Sequence, residues 1–196
     1  MIRHLLTFSL PKNIQGQLDD FYFRIVEEHG DILKGTIPPH IPIAPPFTLK
    51  DTSQLSEILQ GISDCILQKP AANSLICEPE HSSDRVIRMG LLIARSLGIT
   101  GANIVNYLTS TEVGGFKGFP LEHSWHITLA QLKEPSVEMC ELITETANAP
   151  EQSWSVIFVI EDIILWEKQP TESWKQVCVL SASTGNITTE LQVAHL

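Results

Sequence analysis

The sequence predicts an α+β fold in which small sheets are covered by helices on one face. Three observations carry that expectation. Segments of strand and helix character interleave along most of the chain. A pattern His-Ile-x-(Ile/Leu)-Ala occurs twice, as His40-Ile41-Pro42-Ile43-Ala44 and as His126-Ile127-Thr128-Leu129-Ala130, as two half-sites left by a duplication would. The region from 154 onward is β-rich and interrupted by a loop containing Pro170, which reads as a closing hairpin.

Residues 4–10 alternate and predict a first strand, stopped by Pro11. Over 14–29, Ile14, Leu18, Phe21, Ile25 and Val26 fall at helical spacing, and Gly30 is a natural terminator. Residues 36–47 form a short extended segment fenced by prolines. A second helix over 52–67 buries Leu55, Ile58, Leu59, Ile62 and Ile66, with Asp51 as its cap and Gln54 completing a capping-box-like pair. Residues 74–78 read as a strand. The spacing of Val86, Met89, Ile93 and Leu97 predicts a helix over 84–97 ended by Gly98, and 103–109 reads as a further strand. The glycine-rich loop 113–120 then feeds the second histidine pattern. Ser136 caps a predicted helix over 137–147, with Met139, Leu142 and Ile143 inward. Trp154, Val156, Phe158 and Ile160 alternate, and 184–196 reads as a polar, frayed tail.

The chain has 196 residues, 43% hydrophobic and 18% charged, enough apolar material for one domain or a pair of fused lobes. A net charge of −10 argues against a broad surface for long nucleic acid, which needs many phosphate-neutralising Lys and Arg. A small anion in a local pocket remains compatible with it. Cys65, Cys77, Cys140 and Cys178 are scattered without a Cys-x-x-Cys pair, as reduced thiols of a cytoplasmic protein would be. The apolar start is cut short by Pro11-Lys12, too early for a signal peptide, and no run reaches transmembrane length.

On a strand, His126 and Thr128 point to one face together with Ala130, while Ile127 and Leu129 point to the other. Two histidines across a cleft form a general acid–base pair, since an imidazole near its ordinary pKa can accept or donate a proton at neutral pH. A phosphoryl group fits between them, with hydroxyls holding its oxygens and no metal needed. Glu122, His123 and His126 lack evident further ligands for a metal site. The glycines around Lys117 do not match a P-loop, although the loop could carry Lys117 to a nucleotide. Phe47, Trp125 and Trp166 could stack a base, with core packing as the ordinary alternative. Arg85, Arg88 and Arg95 read as a solvated basic stripe on the predicted helix.

Pro-His-Ile-x-Ile-x-x-Pro-Phe at 39–47 and Trp-His-Ile-Thr-Leu-Ala at 125–130 resemble the motifs of the 2H phosphoesterase superfamily, which includes 2′-5′ RNA ligase-like proteins and cyclic phosphodiesterases. The resemblance covers the first 68 residues and 121–181, and is poor over 70–120. It implies two pseudo-symmetric lobes, with small antiparallel sheets lining a central cleft and helices outside. On that basis 1–183 is a single bilobal domain and 184–196 a tail. It further implies His40 and His126 as the catalytic pair, with His126 as base and His40 as acid or the reverse, and Thr128 as a phosphate-binding hydroxyl; Phe47 and Lys117, from their own residue types, are the further candidate substrate contacts. The implied activity is metal- and cofactor-independent opening of a small 2′,3′-cyclic nucleotide or RNA-terminal cyclic phosphate by a monomer. Pro42 departs from the pattern, because it stands where the first motif carries Thr or Ser and offers neither hydroxyl nor N–H. That departure supports the alternative of a non-catalytic nucleotide- or protein-binding module with the same fold.

Overall fold

The computed structural model describes residues 2–33, 39–67, 73–81, 83–111, 113–114, 125–149, 154, 157–171 and 173–188. Strand β1 (Arg3–Phe8) leads into helix α1 (Lys12–His29), which buries Ile14, Leu18, Phe21 and Ile25 at successive turns. Gly30 ends it at a φ of 75°, a conformation glycine adopts without penalty. Strand β2 (Ile41–Pro42) follows. Ahead of helix α2 (Leu55–Cys65) the chain makes a 3-10 turn, Thr52–Gln54. The predicted cap is present there: Ser53 N donates to Asp51 Oδ1 at 2.9 Å, and Asp51 N donates to Gln54 Oε1 at 3.3 Å.

The middle of the chain differs from expectation. Residues 86–92 form strand β4 (Val86–Leu92), antiparallel to β3 (Asn73–His81), and helix α3 (Arg95–Ser110) begins only after it. The predicted helix over 84–97 and strand over 103–109 are both overturned. Val86, Met89, Ile93 and Leu97 fall at helical spacing by coincidence, since burial follows Ile87, Met89 and Leu91 at a period of two. In α3 the buried set is Leu97, Thr100, Gly101, Ile104, Val105 and Leu108, so Gly98 lies within the helix and does not end it.

Strand β5 (His126–Gln131) precedes α4 (Val137–Ala147), where Ser136 Oγ accepts from Met139 N at 3.2 Å. Cys140, Ile143 and Ala147 face inward from α4, whereas Leu142, predicted to do so, is exposed. The C-terminal part contributes β6 (Ile157–Val159), the hairpin β7 (Asp162–Lys168) and β8 (Lys175–Ser181), and β9 (Ile187–Thr188). The tail predicted from 184 therefore supplies a short strand on β8, and 189–196 lie outside the described residues.

Two antiparallel sheets result, ordered β2-β1-β7-β8-β9 and β5-β4-β3-β6, giving the α+β arrangement the sequence predicts. One hydrophobic core runs through both, from Leu6 and Phe8 on β1 to Met89 and Ile127 on β4 and β5. All four cysteines are free thiols. Among the described residues no helix is long and apolar enough to cross a membrane.

His4 ties the segment after β2 to β1. Its backbone N–H and carbonyl bond Phe47 at 2.7 and 2.9 Å, and its ring stacks on Phe47 at 5.7 Å. Burial pushes the His4 imidazole below its ordinary pKa, against the upward pull of Glu167. As the pH falls, the unfolded chain therefore takes up this proton first, and stability declines below the ordinary histidine range. Thermal melts from about pH 7.5 to about pH 5 should show a shallower decline for His4→Phe than for the natural protein. Parallel slopes would remove His4 as a source of the acid sensitivity.

Candidate active site

Strand β5 separates its faces by simple alternation at first. Ile127 is fully buried, and His126 and Thr128 on the opposite face are half-buried. After Thr128 the register slips: Ile87 opposes Ala130 while Arg88 opposes Thr128, leaving Leu129 as an extra residue. This bulge turns Leu129 and Ala130 both into the core, so Ala130 does not stay with His126 and Thr128 as predicted.

His40 is half-buried immediately before β2. Ile41 opposes Phe8 and is fully buried, and Pro42 opposes Thr7. Ile43 N donates to Leu6 O at 2.9 Å, which makes Leu6 and Ile43 a hydrogen-bonded pair and leaves Pro42 at a non-bonded position of the outermost strand. A proline costs the ladder nothing there.

The two histidine segments come together. β2 and β5 are the edge strands of their respective sheets and pass within 8 Å between Cα atoms. The residues beside the histidines are joined through one residue, since the Phe8 backbone pairs with Ile41 and its ring packs on Trp125 with ring centres 5.6 Å apart.

The hydroxyl opposite Pro42 is otherwise occupied. Thr7 is fully buried, and its Oγ1 accepts from Trp166 Nε1 at 2.9 Å, which also holds that indole in place. Thr48 pairs with Gly114 through two backbone bonds of 2.8 Å. Thr36 and Lys117 lie outside the described residues, as do Glu122 and His123. Phe47, predicted to contact substrate, is 1% exposed and stacked on His4, so its ring is a core element with no face left for a ligand.

A residue read from sequence as part of a solvated stripe belongs beside this site. On β4, Arg88 opposes Thr128 and Gly90 opposes His126, so all four share a sheet face. Arg88 Nε donates to Glu80 Oε1 on β3 at 2.9 Å. Reading 84–97 as a helix concealed this; the alternation of Ile87, Met89 and Leu91 is the signal that places Arg88 on a strand. Next to Trp125, an open apolar recess of about 420 Å³ is lined by Leu92, Ile93, Arg95 and Ile99. Among the described residues, no three His, Cys, Asp or Glu side chains group as a metal site would need.

No family model and no curated protein sequence matches the chain. Solved structures do. Protein TT0787 of Thermus thermophilus aligns with a TM-score of 0.65 at 15% identity, over 94% of this chain and 100% of its own. A structure described as a phosphoesterase gives 0.66 at 12% identity, over 92% and 98%. E. coli LigT in complex with 3′-AMP gives 0.63 at 14% identity, over 91% and 97%. The likeness establishes that this chain shares their α+β fold.

Trp125 rests in a notch on α3, where a Cβ added to Gly101 would lie 2.5 Å from its Cη2 atom. Gly101→Ala should therefore destabilise the protein by about 1–3 kcal/mol in urea titrations, with Trp125→Phe recovering part of the loss. Additive effects of the two substitutions would show that the notch does not seat the indole.

Proposed function

We propose that this protein is a metal-independent phosphoesterase that opens a small 2′,3′-cyclic nucleotide, or an RNA-terminal cyclic phosphate, by two-histidine acid–base catalysis. The observation that carries the reading is the approach of β2 and β5, which brings the segments of His40 and His126 to one place from opposite halves of the chain. The fold shared with phosphoesterases supports it. Structures of E. coli LigT with NADP⁺, 3′-AMP, phosphate and ATP favour small nucleotides as the ligand class.

In the proposed reaction one imidazole takes a proton from water as its oxygen bonds to phosphorus. The P–O3′ bond breaks, and the other imidazole gives its proton to the departing 3′-oxygen, leaving a 2′-phosphate. Thr128 donates its hydroxyl to a non-bridging oxygen. The acid and base roles exchange in the reverse direction. On this reading the protein works as a cytoplasmic monomer, a setting in keeping with its four free thiols.

The second reading, a nucleotide-binding module without turnover, draws on Pro42. A hydrogen bond to a charged group contributes about 1.5–3 kcal/mol, so the hydroxyl absent there corresponds to about ten- to a hundredfold in rate or affinity.

Hydrolysis of 2′,3′-cyclic nucleotides in EDTA separates these readings. His40→Ala and His126→Ala should each lower kcat by about a hundredfold or more, as loss of a general acid or base does. Equal turnover in all three proteins would end the mechanism, and saturable 3′-AMP binding without any turnover would select the binding module. Pro42→Thr should raise kcat/KM by about tenfold, because the exchange restores a donor at a position where the ladder does not depend on proline. An unchanged value would show that the missing hydroxyl is not limiting.

A further inference from the structure

We propose that Arg88 and Thr128 form an anion-binding subsite for the phosphate of a nucleotide, with the Arg88 guanidinium supplying donor capacity that Pro42 lacks. This rests on the phosphoesterase reading of His40 and His126.

The β4–β5 register carries the inference. Arg88 stands directly opposite Thr128, and Gly90 directly opposite His126, on one sheet face. Side chains in such pairs start about 4.5–5.5 Å apart, well within the reach of an arginine. Gly90 leaves the strip beside His126 without a side chain. Among the described residues, a Cβ built there meets Cys77 Cβ alone, at 3.4 Å, so a ligand can approach the Gly90 backbone closely.

Arg88 is also held in a suitable way. Glu80 is its partner in the β3–β4 register and accepts from Nε at 2.9 Å, while the Arg88 side chain is 28% exposed. One of the five guanidinium donors is thereby used to fix the plane, and among the described residues the Nη donors keep a fork matched to phosphate geometry. On a protein of net charge −10, a cation held beside Thr128 gives an approaching phosphate a favourable local charge, offset in part by Glu80. If the arginine served only its ion pair with Glu80, an exposed pair of this kind, its removal would change stability slightly and binding not at all.

Calorimetric titration with 3′-AMP tests the assignment on the natural protein, Arg88→Ala, Arg88→Lys and Glu80→Gln, alongside turnover of a 2′,3′-cyclic nucleotide. The natural protein should bind saturably and more weakly as salt rises. Arg88→Ala should weaken binding by about ten- to a hundredfold and raise KM more than it lowers kcat, with a thermal midpoint within a few degrees of the natural protein. Arg88→Lys, which keeps charge and stalk but not the fork, should fall between the two and serves as the decisive variant if Arg88→Ala does not fold. Glu80→Gln, which still accepts from Nε, should bind at least as tightly as the natural protein. Undiminished affinity and KM in both Arg88 variants, with turnover still dependent on His40 and His126, would overturn the subsite alone. A natural protein that neither binds 3′-AMP nor turns over would overturn the phosphoesterase reading and the subsite with it.

Discussion

The packing of Phe8 is the contact on which the arrangement depends. It lies at the end of β1, fully buried, paired with Ile41 on one side and packed against Trp125 on the other. Ile41 follows His40 and Trp125 precedes His126, so one residue, by its backbone on one side and its ring on the other, ties the chain beside both histidines. Burying a phenylalanine of this kind is worth about 1.5–3 kcal/mol, and loss of the ring to a cavity costs more. Trp125 is in turn seated against Gly101 on α3, and Ile41 continues into the segment that His4 bonds through Phe47. A second tie lies further along, where Leu33 bridges Leu132 and Lys133 N donates to Ile32 O at 2.9 Å. The halves of the chain are thus held by apolar packing near the histidines and by backbone bonds away from them.

Edge strands are ordinarily a hazard, because they expose unpaired backbone groups to other chains. Here the two edges that carry the histidine segments lie close to one another, within 8 Å between Cα atoms. The two edges are unequal. β5 has six residues and a ladder with β4 interrupted once, at Leu129, whereas β2 has two residues and contains a proline. Pro42 is structurally inexpensive because it sits at a non-bonded position of an outermost strand. The same residue is chemically poor because it offers no donor to an anion. Donor groups are instead concentrated on the other sheet, where Thr128 and Arg88 stand opposite each other.

Legibility in the sequence followed how sharply each segment distinguished its periods. In α1, Ile14, Leu18, Phe21 and Ile25 admit one helical face, and Pro11 and Gly30 mark its limits. In β5, the polar residues His126 and Thr128 alternating with Ile127 and Leu129 admit only a strand. Residues 86–97 satisfied both periods at once, since Met89 belongs to the strand set with Ile87 and Leu91 and also to a helical set with Val86 and Ile93. Two glycines deepened the ambiguity. Gly90 is in mid-strand opposite His126, and Gly98 lies inside α3, so neither acts as the terminator that local rules make of it.

The sequence by itself determined the repeated histidine pattern, the Asp51–Gln54 pair at the turn leading into α2 and the cap of α4, because each depends on bonds or angles within a few residues. Tertiary structure alone decided that Phe47 is a core ring, that Thr7 opposes Pro42 with its oxygen taken by Trp166, and that Arg88 stands beside Thr128. Those facts depend on strand register across long stretches of chain. A shift of one residue moves every side chain to the other face, and register is set by the packing of the whole core.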